Sequence, residues 1–124
     1  MTESATILFI EDEEELRQSI SQLLREQDFR VIAVPRAEDA LQHLIDYHPD
    51  LIIADIKLPG IDGFEFFTQV KAKKEWQDIP VVFLTAFNNV QATAYAKQLG
   101  VKEYITKPFD FEYLVARIRT LLVP

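Results

Sequence analysis

Two hydrophobic patterns alternate along the chain. Short apolar runs without polar interruption read as strands covered on both faces. Stretches whose apolar residues recur three and four apart read as helices with one inward stripe. Thr6 to Ile10 (TILFI) is the first run. A helix follows from about Glu14 to Glu26, with Leu16, Ile20, Leu23 and Leu24 as its stripe. Phe29 to Val34 is the second strand, stopped by Pro35, and Ala37 to Tyr47 is a helix burying Ala40, Leu41, Leu44 and Ile45. Asp50 to Asp55 (DLIIAD) is the most apolar strand, and the loop after it carries the turn formers Pro59, Gly60 and Gly63. Phe64 to Lys73 is the third helix and Pro80 to Thr85 (PVVFLT) the fourth strand. Asn88 or Asn89 can cap a fourth helix that ends near Leu99, with Gly100 as its stop. Glu103 to Thr106 is a short strand, and Asp110 caps a last helix that turns Leu114, Ile118 and Leu121 inward.

Five strands thus alternate with five helices, without internal repeat or linker. Parallel strands need crossovers, so strict alternation predicts an α/β fold: one parallel sheet with helices on both faces. The natural arrangement is doubly wound, strand order 2-1-3-4-5. Ligands of such sheets bind beyond the carboxyl ends of the strands where the order reverses, here between the first and third strands.

The 124 residues suit one domain, with 48% apolar and 27% charged residues. No cysteine is present, which excludes disulfides, thiolate metal sites and cysteine nucleophiles. The net charge of −7 argues against direct binding to nucleic acid or an anionic membrane. No apolar run approaches the roughly 20 residues that span a bilayer, and no signal-peptide pattern opens the sequence. Cytoplasm is the expected location.

The strand ends carry the chemistry. The first strand runs into Glu11 and Asp12, the third ends in Asp55, the fourth in Thr85, and Lys107 follows the fifth. Parallel strands put all of these on one edge. Clustered carboxylates repel and raise one another's pKa unless a cation offsets them. A hard divalent ion with oxygen ligands, Mg²⁺, does so, and Lys107 adds positive charge. Such a site suits a phosphoryl group. With no cysteine and no Ser–His pair at the strand ends, a carboxylate becomes the candidate nucleophile, and Asp55, beside the switch point, is the best placed. Thr85 can donate a hydrogen bond to a phosphoryl oxygen.

ILFIEDEE, DLIIADIKLPGIDG, VVFLTA and YITKPF, in this order and spacing, resemble the signature blocks of response-regulator receiver domains, and the resemblance covers essentially the whole chain. It implies a flavodoxin-like receiver with Asp55 as phosphoacceptor. Asp12, Asp55 and the Lys57 carbonyl would bind Mg²⁺, with Glu11 acting mainly through water. Thr85 and Lys107 would contact the phosphoryl group, and a cis Lys107–Pro108 peptide would aim the lysine. Tyr104 matches an aromatic that turns inward as Thr85 moves, changing the surface of the fourth helix, fifth strand and fifth helix. Implied partners are a histidine kinase or phosphotransfer protein, an output domain or other reader of that surface, and a second copy in a homodimer. Two positions depart from the commonest pattern: Glu11 stands where Asp is usual, and Leu58 where Met is frequent. Lys57 and Phe87 occupy positions that tune acyl-phosphate hydrolysis in this family.

Glu13, Glu14 and Glu15 suit a helix N-terminus, Asp62 a loop turn, and Gly63 a tight turn into the third helix. His43 and His48 read as surface residues, and Trp76 has no evident chemical role. A phosphatase with an Asp nucleophile would typically carry a second Asp where Lys57 stands. A receiver reduced to a docking module would usually lose an acid or the lysine, and this chain keeps all of them.

Overall fold

The computed structural model describes residues 4–123. Five strands, β1 (Thr6–Ile10), β2 (Arg30–Val34), β3 (Leu51–Ala54), β4 (Val81–Thr85) and β5 (Glu103–Thr106), alternate with α1 (Glu14–Glu26), α2 (Ala37–Asp46), α3 (Gly63–Ala72), α4 (Val90–Leu99) and α5 (Phe111–Leu122). All pairings are parallel, in the order β2-β1-β3-β4-β5. The reversal between β1 and β3 aligns Ile10 with Ala54, so the residues after each, Glu11 and Asp55, emerge side by side.

Side chains alternate along each strand and feed two cores. Leu8, Ile10, Ile52, Ala54, Val81 and Phe83 pack with α2, α3 and Ala96 of α4. Ile7, Phe9, Ile53, Val82, Leu84 and Ile105 pack with α1 and α5. Every residue of β3 and β4 is buried, as uninterrupted apolar runs require.

Two helical stripes are narrower than the periodicity suggests. Leu23 is 41% exposed and Ile45 64% exposed. Each lies one residue, roughly 100° of helix, from an inward leucine, Leu24 or Leu44, and so falls at the stripe's edge. Ser21 lies buried with Ile20 and Leu24 instead. The Asp62, Asn89 and Asp110 side chains cap α3, α4 and α5, accepting from Glu65 N (2.8 Å), Ala92 N (2.7 Å) and Glu112 N (3.0 Å). Gly100 stops α4 at φ +89°. Gly63 is needed for close approach: a Cβ there would collide with the Asp55 carbonyl and lie 2.7 Å from Ile56 Cα. Among the described residues no helix is long and apolar enough to cross a membrane.

Candidate functional site

Four strands deliver their ends to one point. β1 delivers Glu11 and Asp12, and β3 delivers Asp55, through a ladder that continues past its last residue: Asp55 N donates to Ile10 O at 3.2 Å. Glu11, Asp12 and Asp55 each offer a carboxylate oxygen, all within 4.8 Å of one another. Glu11 and Asp55 are buried and Asp12 is exposed, so the cluster opens to solvent on the Asp12 side. β5 supplies the cation. Lys107 N donates to Thr85 O (2.8 Å), fixing the backbone, and Lys107 Nζ bonds Glu11 Oε1 at 2.6 Å and Asp55 Oδ2 at 3.0 Å. The Lys107–Pro108 peptide is cis, as the resemblance implies.

Asp55 is held from the other side too. Its Oδ1 accepts from Ile56 N at 2.6 Å and Lys57 N at 3.2 Å. Both carboxylate oxygens therefore have partners, and the group cannot swing. Glu11 Oε2 accepts from Glu13 N at 3.1 Å.

Negative charge is in surplus, three carboxylates against the Lys107 ammonium. Burial pushes the Glu11 carboxyl above its ordinary 4.5, against the pull of Lys107 and the Glu13 N–H. For Lys107, burial pulls downward, but the hydrogen bonds and charges of Glu11 and Asp55 outweigh it and hold the ammonium above 10.5. A divalent cation of oxygen-binding type matches both the donor set and the charge deficit.

Thr85 is fully buried at the end of β4, and its Oγ1 accepts from Phe87 N at 3.0 Å. The Tyr104 hydroxyl donates to the Phe87 carbonyl, and its ring meets Phe83 edge-on at 6.2 Å. Burial, reinforced by the charge of Asp55 and opposed by the Thr93 hydroxyl, raises the Tyr104 phenol above 10.0. The Lys57 ammonium sits 4.3 Å from the centre of the Phe87 ring.

The structure thus brings together Glu11, Asp12, Asp55 and Lys107 directly, with Lys57, Thr85 and Tyr104 arranged around Phe87. His43 stacks on Tyr47 (4.7 Å), and with His48 these residues line a groove beside β2, which the site does not include. Trp76 has a structural use: its Nε1–H donates to Leu44 O at the end of α2 (3.2 Å). Sequence reasoning missed the joining role of Phe87 and the contacts of Arg17, whose Nη1 donates to Glu11 O (2.8 Å). An arginine in an exposed-looking helical pattern carries no sign that it turns back on a strand end.

Residues 7–119 match the family model described as the response regulator receiver domain, and the chain belongs to that family. It is 38% identical over 116 residues to the two-component response regulator PhoP of Pseudomonas aeruginosa, covering 94% of this chain and 51% of that protein. It is 35% identical to the phosphate regulon transcriptional regulatory protein PhoB of Escherichia coli K12, with coverage of 94% and 51%. The chain spans about half the length of these relatives. Among solved structures it is similar to the signal receiver domain of a signal transduction histidine kinase from Syntrophus aciditrophicus, at TM-score 0.89 and 27% identity, covering 96% and 90% of the two chains. The chain is a receiver domain of the two-component type, a module of phosphorylation-dependent signalling. Receiver domains generally bind Mg²⁺ at an acidic pocket, and Glu11, Asp12 and Asp55 form such a group here.

Proposed function

We propose that Asp55 accepts the phosphoryl group, in a Mg²⁺-dependent reaction with a histidine kinase or phosphotransfer protein as donor. One observation carries this reading. Asp55 is fixed by Ile56 N, Lys57 N and Lys107 Nζ, while its carboxylate still shares a 4.8 Å cluster with Glu11 and Asp12. Asp12, Asp55 and the Lys57 carbonyl would hold Mg²⁺, with Glu11 acting through water. The bound ion would neutralise the phosphoryl oxygens.

An Asp55 carboxylate oxygen attacks phosphorus in line. The phosphorus–nitrogen bond of the phosphohistidine breaks, and its electron pair returns to the imidazole. Lys107 moves its hydrogen bonds from the carboxylates to the new phosphoryl oxygens. Thr85 rotates its hydroxyl to donate to another of those oxygens and gives up the Phe87 N–H. The chain catalyses its own phosphorylation and the hydrolysis that reverses it, and turns over no external metabolite. The signal passes through Thr85 and Tyr104 to the surface formed by α4, β5 and α5, where an output domain, another partner or a second copy reads it.

Intact-protein mass after incubation with acetyl phosphate tests this. Wild type with Mg²⁺ gains one phosphoryl group, whereas Asp55→Asn, or wild type with chelator, gains none. A wild type that stays unmodified with both acetyl phosphate and a kinase donor overturns the reading.

A further inference from the structure

Asp12 is the exposed member of the acidic cluster, and among the described residues its carboxylate accepts no hydrogen bond, so its position depends on the backbone that carries it. That backbone lies between β1 and α1. Its first residue is still tied to the sheet, Glu11 N donating to Val34 O at 3.0 Å. Beyond it the ladder stops. The N-cap residue of α1, Glu13, makes no side-chain cap bond. Among the described residues no backbone N–H reaches the carbonyls of Glu11 or Asp12. Both carbonyls are instead taken by one side chain: Arg17 Nη1 donates to Glu11 O at 2.8 Å and, more weakly, to Asp12 O at 3.4 Å. Glu13, Glu14 and Glu15 all lie within four residues of this guanidinium, yet among the described residues none of them forms an ion pair with it.

We propose that Arg17 is a positioning residue for metal binding: it clamps the turn after β1 and thereby sets where the Asp12 carboxylate stands. The proposal rests on reading Glu11, Asp12 and Asp55 as the Mg²⁺ site. Its physical basis is preorganisation. Without Arg17 the turn would keep the Glu13 N–H bond to Glu11 Oε2 but lose the donor on its two carbonyls, so more of its ordering would fall to the ion and be subtracted from the binding free energy. A guanidinium suits the task because its planar, rigid donors can reach neighbouring carbonyls at once, whereas a lysine ammonium on a flexible stem is held less firmly.

Calorimetric titration with Mg²⁺ alone, on the unphosphorylated protein, reads this directly. Arg17→Met keeps an unbranched stem and the helix propensity while removing the guanidinium, and is expected to weaken Mg²⁺ binding about tenfold. Arg17→Lys falls between it and wild type. In an Asp12→Asn background, adding Arg17→Met changes affinity by less than twofold, because the group it positions no longer carries charge. A purely structural arginine would lower the metal-free melting temperature without this dependence on Asp12. Wild-type affinity in Arg17→Met, or an equal loss with and without Asp12, overturns the clamp. Should Arg17→Met not fold, unchanged affinity in Arg17→Lys overturns it. A wild type that binds no Mg²⁺ overturns the metal reading instead, which keeps the two failures distinct.

Discussion

Single residues show where charge and burial are balanced and where they are not. Lys107 offsets two buried carboxylates at once. Replacing it with methionine leaves Glu11 and Asp55 facing each other unpaired, and removing one partner of a buried pair costs on the order of 3 kcal/mol. Metal-free Lys107→Met is therefore expected to melt well below wild type, with Mg²⁺ restoring part of the difference; equal melting temperatures would contradict the pairing. The same pair sets a pH dependence. The Lys107 ammonium is held above 10.5 and the Tyr104 phenol above 10.0. Both groups bind their protons more tightly in the folded state, so each contributes stability that is complete below its unfolded pKa. That stability is lost as pH rises through the folded value. Denaturant titrations of the metal-free protein should show stability flat at about pH 9 and falling from about pH 10 upward (the ordinary values of the two groups), with a shallower slope in Lys107→Met and in Tyr104→Phe. Ser21 is the opposite case. Its Oγ is buried without a hydrogen-bond partner among the described residues. Ser21→Ala removes an unsatisfied group and adds helix propensity, so it should raise stability by about 1 kcal/mol in the same titrations.

At the scale of elements, glycines separate two kinds of constraint. Gly63 opens α3 against the backbone of Asp55 and Ile56. A methyl group there must push either the helix or the Asp55 backbone, and Gly63→Ala should cost about 2 kcal/mol or more and slow phosphorylation by acetyl phosphate. Gly100 has open space around its missing Cβ, but its φ is +89°. Gly100→Ala should cost about 1 kcal/mol through strain alone, with phosphorylation unchanged. If both variants slow phosphorylation equally, Gly63 has no special closeness to the site. The strands were legible because uninterrupted apolar runs such as TILFI and VVFLT have few alternatives, and β1 and β5 begin and end where the pattern places them. Two helix starts were legible from Asn89 and Asp110, whose side chains do cap, whereas Asp62, read as a loop-turn residue, turns out to cap α3. Less legible was the width of a helical stripe. Periodicity places Leu23 and Ile45 beside the core, but only the packed neighbours decide whether the edge of a stripe is covered. The charged residues of the site were legible because parallel topology forces strand ends together. Contacts reaching backwards, from Arg17 to the strand end and from Tyr104 to Phe87, depend on side-chain direction, which spacing alone does not encode.

For the molecule as a whole, the question is how an event at the Asp55 edge reaches α4 and α5. Phe87 is where the paths meet. Its N–H donates to Thr85 Oγ1, its carbonyl accepts from the Tyr104 hydroxyl, and its ring faces the Lys57 ammonium across the mouth of the site. Once Thr85 turns its hydroxyl to a phosphoryl oxygen, the Phe87 N–H loses its acceptor. On the proposed mechanism the backbone between β4 and α4 would then shift and carry the Tyr104 hydrogen bond with it. An element that packs in two discrete arrangements turns a small displacement at one end into a change of surface at the other. Phosphorylation and transmission should therefore separate genetically. Thr85→Ala keeps Asp55, Lys107 and the acidic cluster, so it should still gain a phosphoryl group by mass, more slowly by about tenfold or more for the lost donor. Hydrogen exchange over residues 87–106 should change on phosphorylation of wild type and remain flat in Thr85→Ala. Phe87→Ala tests the other half. It keeps the backbone bonds but removes the ring against which the Lys57 ammonium packs, so transmission should persist while the acyl phosphate hydrolyses severalfold faster, read as the decay of the phosphorylated mass. A Thr85→Ala protein whose exchange responds like wild type would mean that the signal leaves Asp55 by a path that bypasses β4, through Lys107 at the end of β5 or through the β3–α3 loop at Lys57.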